Sequence, residues 1–222
     1  MTRAASRART LLAAACALVA VTITTPTARA QRPLSVSGGA GITSARLSRE
    51  GTLDRAWTGA IMGAGGTLRL NRFLLDAQYA QGTLTPEAGT LGDGEDFVDG
   101  ALQLRFQVLP WLTVGAGPHI RAFITPAGTS RWTRFEGRVR AEGELINSIA
   151  FAHFEGWFAA AVDANVQGGG SGAQGGEAGV LVRLPRTPLA LQLTYLADRA
   201  EFANGASEFL EGVRFTVLFD RY

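Results

Sequence analysis

From Arg134 to Glu144 every second residue is charged: Arg134, Glu136, Arg138, Arg140, Glu142 and Glu144. Between them lie Phe135, Gly137, Val139, Ala141 and Gly143. In a helix, at about 100° per residue, charges at this spacing would spread around the whole cylinder and leave no apolar stripe. In a β-strand they all point one way, and Phe135, Val139 and Leu145 point the other. The stretch is therefore a strand with one charged and one uncharged face.

The same period recurs along the chain. Phe73, Leu75, Ala77 and Tyr79 alternate with Asp76, Gln78 and Ala80. Val98, Leu102, Leu104 and Phe106 alternate with Asp99, Gln103, Arg105 and Gln107, and Leu112, Val114, Ala116 and Ile120 with Thr113, Gly115, His119 and Arg121. Pro118 within that strand predicts a bulge or a locally unpaired position. Val180 and Val182 oppose Glu177 and Arg183, Leu191, Leu193 and Tyr195 oppose Gln192, Thr194 and Asp198, and Phe215 and Val217 oppose Arg214 and Thr216. Residues 34–48, 56–70 and 155–166 are Gly- and Ala-rich and fit less sharply, with Leu68 opposite Arg69 and Val162 opposite Asp163. The count is about ten strands, or eight if residues 34–48 or 155–166 are misread.

The N-terminus reads differently. Basic "MTRAASRART", apolar "LLAAACALVAVTI" and a small-residue "ARA" form a secretory signal peptide, with cleavage after Ala30. A lipoprotein box ending at Cys16, or an uncleaved anchor, is the lesser alternative. Removing Arg3, Arg7, Arg9 and Arg29 leaves 17 basic against 19 acidic residues, so a formal charge of +2 becomes −2. That balance argues against a nucleic-acid partner. Cys16 is the single cysteine, so an exported chain cut after Ala30 holds no disulfide and no cysteine metal site. Residues 31–222 read as one domain.

The connections alternate in length. Asn71-Arg72, Pro110-Trp111 and residues 185–187 are short, and residues 147–153 fit this set least well. Residues 49–54, 84–95, 125–131, 167–175 and 201–207 form longer polar or Gly-rich loops. Strands near ten residues with short turns on one side and longer loops on the other are the pattern of an up-and-down transmembrane barrel. A soluble periplasmic β-barrel binding protein would alternate equally, and parity alone does not say which face meets lipid. Three features favour the membrane: the mixed small and charged composition of the polar face, tryptophans Trp57, Trp111, Trp132 and Trp157 placed for an interfacial girdle, and a C-terminal strand ending in an aromatic, "VRFTVLFDRY".

On these patterns the chain resembles the small bacterial outer-membrane β-barrel proteins, over the whole of residues 31–222. The resemblance implies an all-β, antiparallel barrel in the outer membrane, both termini periplasmic, with outer-membrane lipid and the barrel-assembly machinery as partners. One departure is that Tyr222 is out of phase with Phe215, Val217 and Phe219.

If the apolar parity meets lipid, the lumen is lined by Arg69, Asp76, Asp99, Arg105, His119, Arg121, Arg134, Glu136, Arg138, Arg140, Glu142, Glu144, Asp163, Glu177, Arg183, Asp198 and Arg214. Charges in such balance inside a narrow barrel read first as a salt-bridged plug. Related barrels include omptin proteases, which use acidic residues with a histidine, and lipid A-modifying acylases. His119 with the acidic loop Asp93, Glu95 and Asp96 is the one pairing of that kind, and no motif of either family is present. The expectation is no catalytic residue, no metal and no cofactor. The expected role is structural or surface contact, or limited small-solute (porin-like) passage, with a surface partner unspecified. A barrel enzyme is the alternative.

Overall fold

The computed structural model describes residues 34–51, 55–89, 92–165 and 169–220. The segment read as a signal peptide, residues 31–33 and Tyr222 lie outside them. Ten strands follow in order: β1 Leu34–Glu50, β2 Arg55–Leu70, β3 Phe73–Pro86, β4 Glu95–Leu109, β5 Leu112–Thr125, β6 Gly128–Ile146, β7 Ala150–Ala164, β8 Gly170–Arg183, β9 Leu189–Phe202 and β10 Ser207–Asp220. Each pairs antiparallel with the next, and β1 pairs with β10 from Ser37↔Asp220 to Glu50↔Ser207, closing the barrel. Closure removes both sheet edges. No helix among the described residues is long and apolar enough to cross a membrane.

The strands run from 14 to 19 residues, longer than the sequence pattern implied. They absorb about half of what reads as long loops. The connection expected over 125–131 shrinks to residues 126–127, and that over 167–175 to residues 165–169. Polar and glycine-rich stretches look like loops in sequence, yet the ladder carries them as strand. Residues 150–153, taken as part of a turn, open β7. One end of the barrel carries the connections 71–72, 110–111, 147–149 and 184–188, here the turn end. The other carries 51–54, 87–94, 126–127, 165–169 and 203–206, the loop end. At the turn end Asn71 adopts φ 55°, the left-handed conformation that a two-residue hairpin turn demands.

Pro118 behaves as its chemistry requires. β4 and β5 pair at Ala101↔His119 and again at Leu104↔Ala116, with no ladder pair between. The Gln103 side chain fills the break, its Nε2 donating to the Gly117 carbonyl at 3.3 Å. Gly117 packs its Cα against the Leu102 carbonyl, where any Cβ would collide.

Burial is inverted relative to a soluble barrel. Leu75, Leu102, Leu104, Phe135, Val139, Leu145, Phe158, Leu193 and Phe215 are exposed, while Arg105, His119, Arg134, Glu136, Glu155 and Asp198 are buried. That inversion rules out the soluble alternative, whose charges would face water and whose leucines would face inward.

The inversion does not run the whole length of the barrel. Toward the loop end the outward residues turn polar: Arg46, Ser48, Thr58, Thr83, Asp96, Arg131, Arg199 and Glu201. Behind them the inward residues turn apolar. Leu47, Trp57, Ile61, Leu84, Phe97, Phe123, Trp132 and Leu210 form one buried cluster. The turn-end part thus follows membrane logic and the loop-end part follows soluble logic. An apolar band about 25 Å tall uses about ten residues of a tilted strand, so strands of 14–19 residues leave a polar crown beyond it. Tyr79 and Tyr195 mark the boundary on the outer face. Their hydroxyls donate to Gln81 Oε1 and Glu211 Oε2, each at 2.9 Å. The tyrosines therefore take the interfacial place expected of the tryptophans. Trp57, Trp132 and Trp157 are buried inside, and Trp111 sits half-buried at the turn end.

Candidate functional site: the charged lumen

The lumen has three layers. At the loop end the apolar cluster fills the bore. Trp132 packs edge-on against Phe202 with ring centroids 4.9 Å apart, and Phe97 against Phe123 at 5.5 Å. Arg49 is set into this layer between the Trp57 and Phe123 rings, 5.0 and 4.7 Å from their centroids. It is neutralised by Glu95 at 2.6 Å and Glu208 at 2.9 Å.

Below lies a continuous ion-pair network. Asp198 on β9 accepts from Arg121 at 2.9 Å, from Arg134 at 3.0 Å and from Trp157 Nε1 at 2.9 Å. Arg121 also reaches Asp99 at 2.9 Å, and Arg134 reaches Glu136 at 3.2 Å. Arg138 joins Glu136, 2.6 Å away, to Glu155, 2.9 Å away. Arg105 then joins Glu155 at 2.8 Å to Asp76 at 2.5 Å. Arg140 carries the chain on from Glu155 at 3.7 Å to Glu177 at 3.9 Å and also meets Glu142 at 3.3 Å, and Glu177 meets Arg214 at 2.5 Å. Strict alternation on neighbouring strands makes this possible, because every strand of this region presents its polar residues to one space. Each buried charge gains opposite charges to offset its desolvation.

His119 sits inside the network. Its Nδ1 lies 2.7 Å from Glu136 Oε1 and its Nε2 lies 2.8 Å from Asp99 Oδ2. Both ring nitrogens are thus engaged by carboxylates that themselves hold arginines. The pairing anticipated with the acidic loop is absent, and the three acids there diverge. Glu95 turns inward to Arg49, Asp96 accepts from Thr83 at 2.9 Å on the outer face, and Asp93 offers its carbonyl to Trp57 Nε1 at 3.2 Å. Acids close in sequence on a strand end alternate faces, so proximity along the chain did not make a cluster.

The third layer is a cavity of about 950 Å³ at the turn end. Its deep wall is Asp76, Asp99, Arg105, Arg138 and Glu155, and Arg69, Arg140, Glu142, Glu177, Arg183 and Arg214 line it nearer the turn end. Across from the β6 and β7 charges lie small residues of β1 and β2: Ser35, Ser37, Gly39, Gly41, Gly63 and Gly65. No buried member of the apolar cluster lines the cavity.

Most of the residues anticipated as lumen-lining do face the bore. Arg183 lies over the Phe151 ring at 4.2 Å. Glu144 accepts from the Ser148 backbone N–H and caps the 147–149 turn. Asp163 does not face the lumen. The β6–β7 register shifts between Phe135↔Ala161 and Glu136↔Ala159, and this bulge reverses parity for the rest of β7. Val162 turns in against the apolar cluster and Asp163 is exposed. The sequence pattern did not place Glu155, which holds three arginines, or His153, Arg49 and Glu208 in the lumen, and it put Glu95 in the acidic loop rather than on Arg49. Glu155 and Trp157 share one parity, and Trp132 shares that of Arg134, so the signal for these three was present. No group of three or more His, Cys, Asp or Glu residues with metal-holding geometry occurs among the described residues.

No protein-family model matches the chain, and no curated protein sequence matches it. Solved structures do. The outer membrane protease OmpT from Escherichia coli aligns with a TM-score of 0.54 at 9% identity, over 89% of this chain and 100% of that one. The translocator domain of the autotransporter NalP from Neisseria meningitidis aligns with a TM-score of 0.47 at 11% identity, over 99% and 96%. At 9% identity the likeness to OmpT is one of fold, and it agrees with the closed ten-strand ring and the inverted burial: this chain has the fold of the bacterial outer-membrane β-barrels.

Proposed function

We propose that the chain is an integral outer-membrane barrel with a sealed bore, working through its exposed crown or as a structural element of the membrane rather than as a pore. The turn end faces the periplasm and the crown faces outward. The observation that carries this reading is the layering of the lumen: an apolar plug and an ion-pair network stand between the cavity and the loop end. A ten-stranded barrel leaves little free bore once large side chains fill it. The lipid partner follows from the exposed apolar band.

A catalytic role finds no support in the geometry of His119, since both ring nitrogens are occupied by carboxylates. A general base needs a free lone pair within reach of a water or substrate proton.

Reconstitution into a planar lipid bilayer tests the sealed bore. The proposal predicts no unitary conductance steps from the native chain. It predicts steps once the plug is cut back in a Trp132→Ala, Phe123→Ala double variant that still migrates as a folded barrel before boiling. Steady conductance of the native chain would refute the sealed bore. A surface role predicts that shortening residues 87–94 abolishes binding to cells or matrix while the barrel still assembles.

A further inference from the structure

Arg69 differs from four other cavity arginines. Arg105 and Arg138 meet Glu155, Arg140 meets Glu142, and Arg214 meets Glu177. Arg69 has no carboxylate at ion-pairing distance among the described residues. Its one polar partner is Gln107, whose Oε1 accepts from Nη1 at 3.3 Å. Gln107 is itself anchored, its Nε2 donating to the Pro110 carbonyl at 3.0 Å. The amide therefore fixes the guanidinium without neutralising it, and most of its five N–H donors remain for another acceptor.

The surroundings of Arg69 are shaped as well as charged. Its ladder partner is Leu74, and Leu74, Pro110 and Trp111 line the cavity beside it. The inward residues next along β2 are Thr67, Gly65 and Gly63, all small and all cavity-lining. Room is thus left beside the Arg69 guanidinium on its loop-end side, while the facing wall is packed with paired charges. Pockets that hold organic ligands combine such an apolar wall with a few placed polar groups. A guanidinium in a confined site without a counter-charge gains most from an anion, and binds two oxygens of one oxyanion through paired N–H donors.

We infer that the cavity is a binding cup for a small amphipathic organic anion, its acidic group held by Arg69 and its apolar body against Trp111 and Leu74. This goes beyond the sealed-bore reading: it requires the cavity and Arg69, and does not depend on how the crown is used.

The test uses the full barrel in lipid nanodiscs, with naphthalene-2-sulfonate as probe and empty nanodiscs as blank. Isothermal titration calorimetry should show saturable binding at one site per barrel. Arg69→Gln should weaken it at least tenfold while the unboiled barrel keeps its gel mobility. Trp111→Phe should abolish the accompanying change in tryptophan fluorescence, and Arg199→Gln on the outer crown should leave the affinity unchanged. Equal binding by Arg69→Gln, equal weakening by Arg199→Gln, equal affinity for the uncharged 2-methylnaphthalene, or no binding above the blank would each overturn the inference.

Discussion

Asp198 concentrates the strain of building a charged interior. It is buried and meets Arg121, Arg134 and the Trp157 indole at once. Removing it leaves two guanidiniums facing each other without their shared counter-charge. Breaking a buried ion pair in this way costs about 3–5 kcal/mol. Asp198→Ala is therefore expected to lower the urea midpoint of unfolding markedly, read by loss of heat-modifiable gel mobility, whereas Glu201→Ala on the outer face should shift it little. A measured equality of the two would remove the network from the account of stability. The same scale shows what the sequence could and could not reveal. Asp198, Arg134 and Glu136 are legible because they share parity with neighbouring charges. Trp132 and Trp157 obey that parity too, yet general preference for tryptophan at interfaces pulled the reading outward. The error was one of weighting, since the pattern already placed both indoles inside. Asp163 is a different case. A single bulge at Ala160-Ala161 reverses its face, and nothing in a run of alanines signals one. Arg69 was legible as a lumen residue, but its lack of a counter-charge depends on which strands end up adjacent.

At the scale of a strand, alternation carries one meaning in the band and the opposite meaning in the crown. β6 reads Arg134 to Glu144 inward below, and Trp132 inward above, on one unbroken parity. The strand does not change face where its environment changes; the residue types change instead. β1 does the same, with Ser37, Gly39 and Gly41 inward at the turn end and Ala45 and Leu47 inward at the loop end. Strand lengths beyond the membrane requirement follow from this second zone. They were not legible because polar strand and polar loop look alike in sequence when the strand stands in water on its outer side. The two zones predict opposite responses to a charge on the outer face. Val139→Arg in the band is expected to cost about 2–4 kcal/mol if near the midplane, while Thr58→Arg in the crown should be close to neutral. Folding into liposomes, followed by denaturant titration, measures both. Equal costs would show that the crown is also in lipid.

The whole molecule is a closed ring whose charged centre lies between an apolar plug at one end and an open cavity at the other. Closure is legible in the strand rhythm, as is a count of about ten strands. The layering along the bore is not, because it depends on register: each strand's plug residues align with those of its neighbours only after the shifts between strands are set. The layering also fixes how the two solvents reach the chain. Lipid meets the odd-numbered residues of β6 from Phe135 to Leu145 from outside, and water meets Arg138, Arg140 and Glu142 from the cavity. Single-cysteine variants at each position from Val139 to Leu145, made on the barrel cut after Ala30, place a nitroxide on alternating faces of one strand. Power-saturation spin-label spectroscopy in liposomes then reads the collision rates with oxygen and with a water-soluble nickel chelate. The account predicts oxygen access at positions 139, 141, 143 and 145 and chelate access at 140 and 142, with a period of two. The reverse phase, or no period at all, would contradict a barrel with its charges inside and its apolar face in lipid.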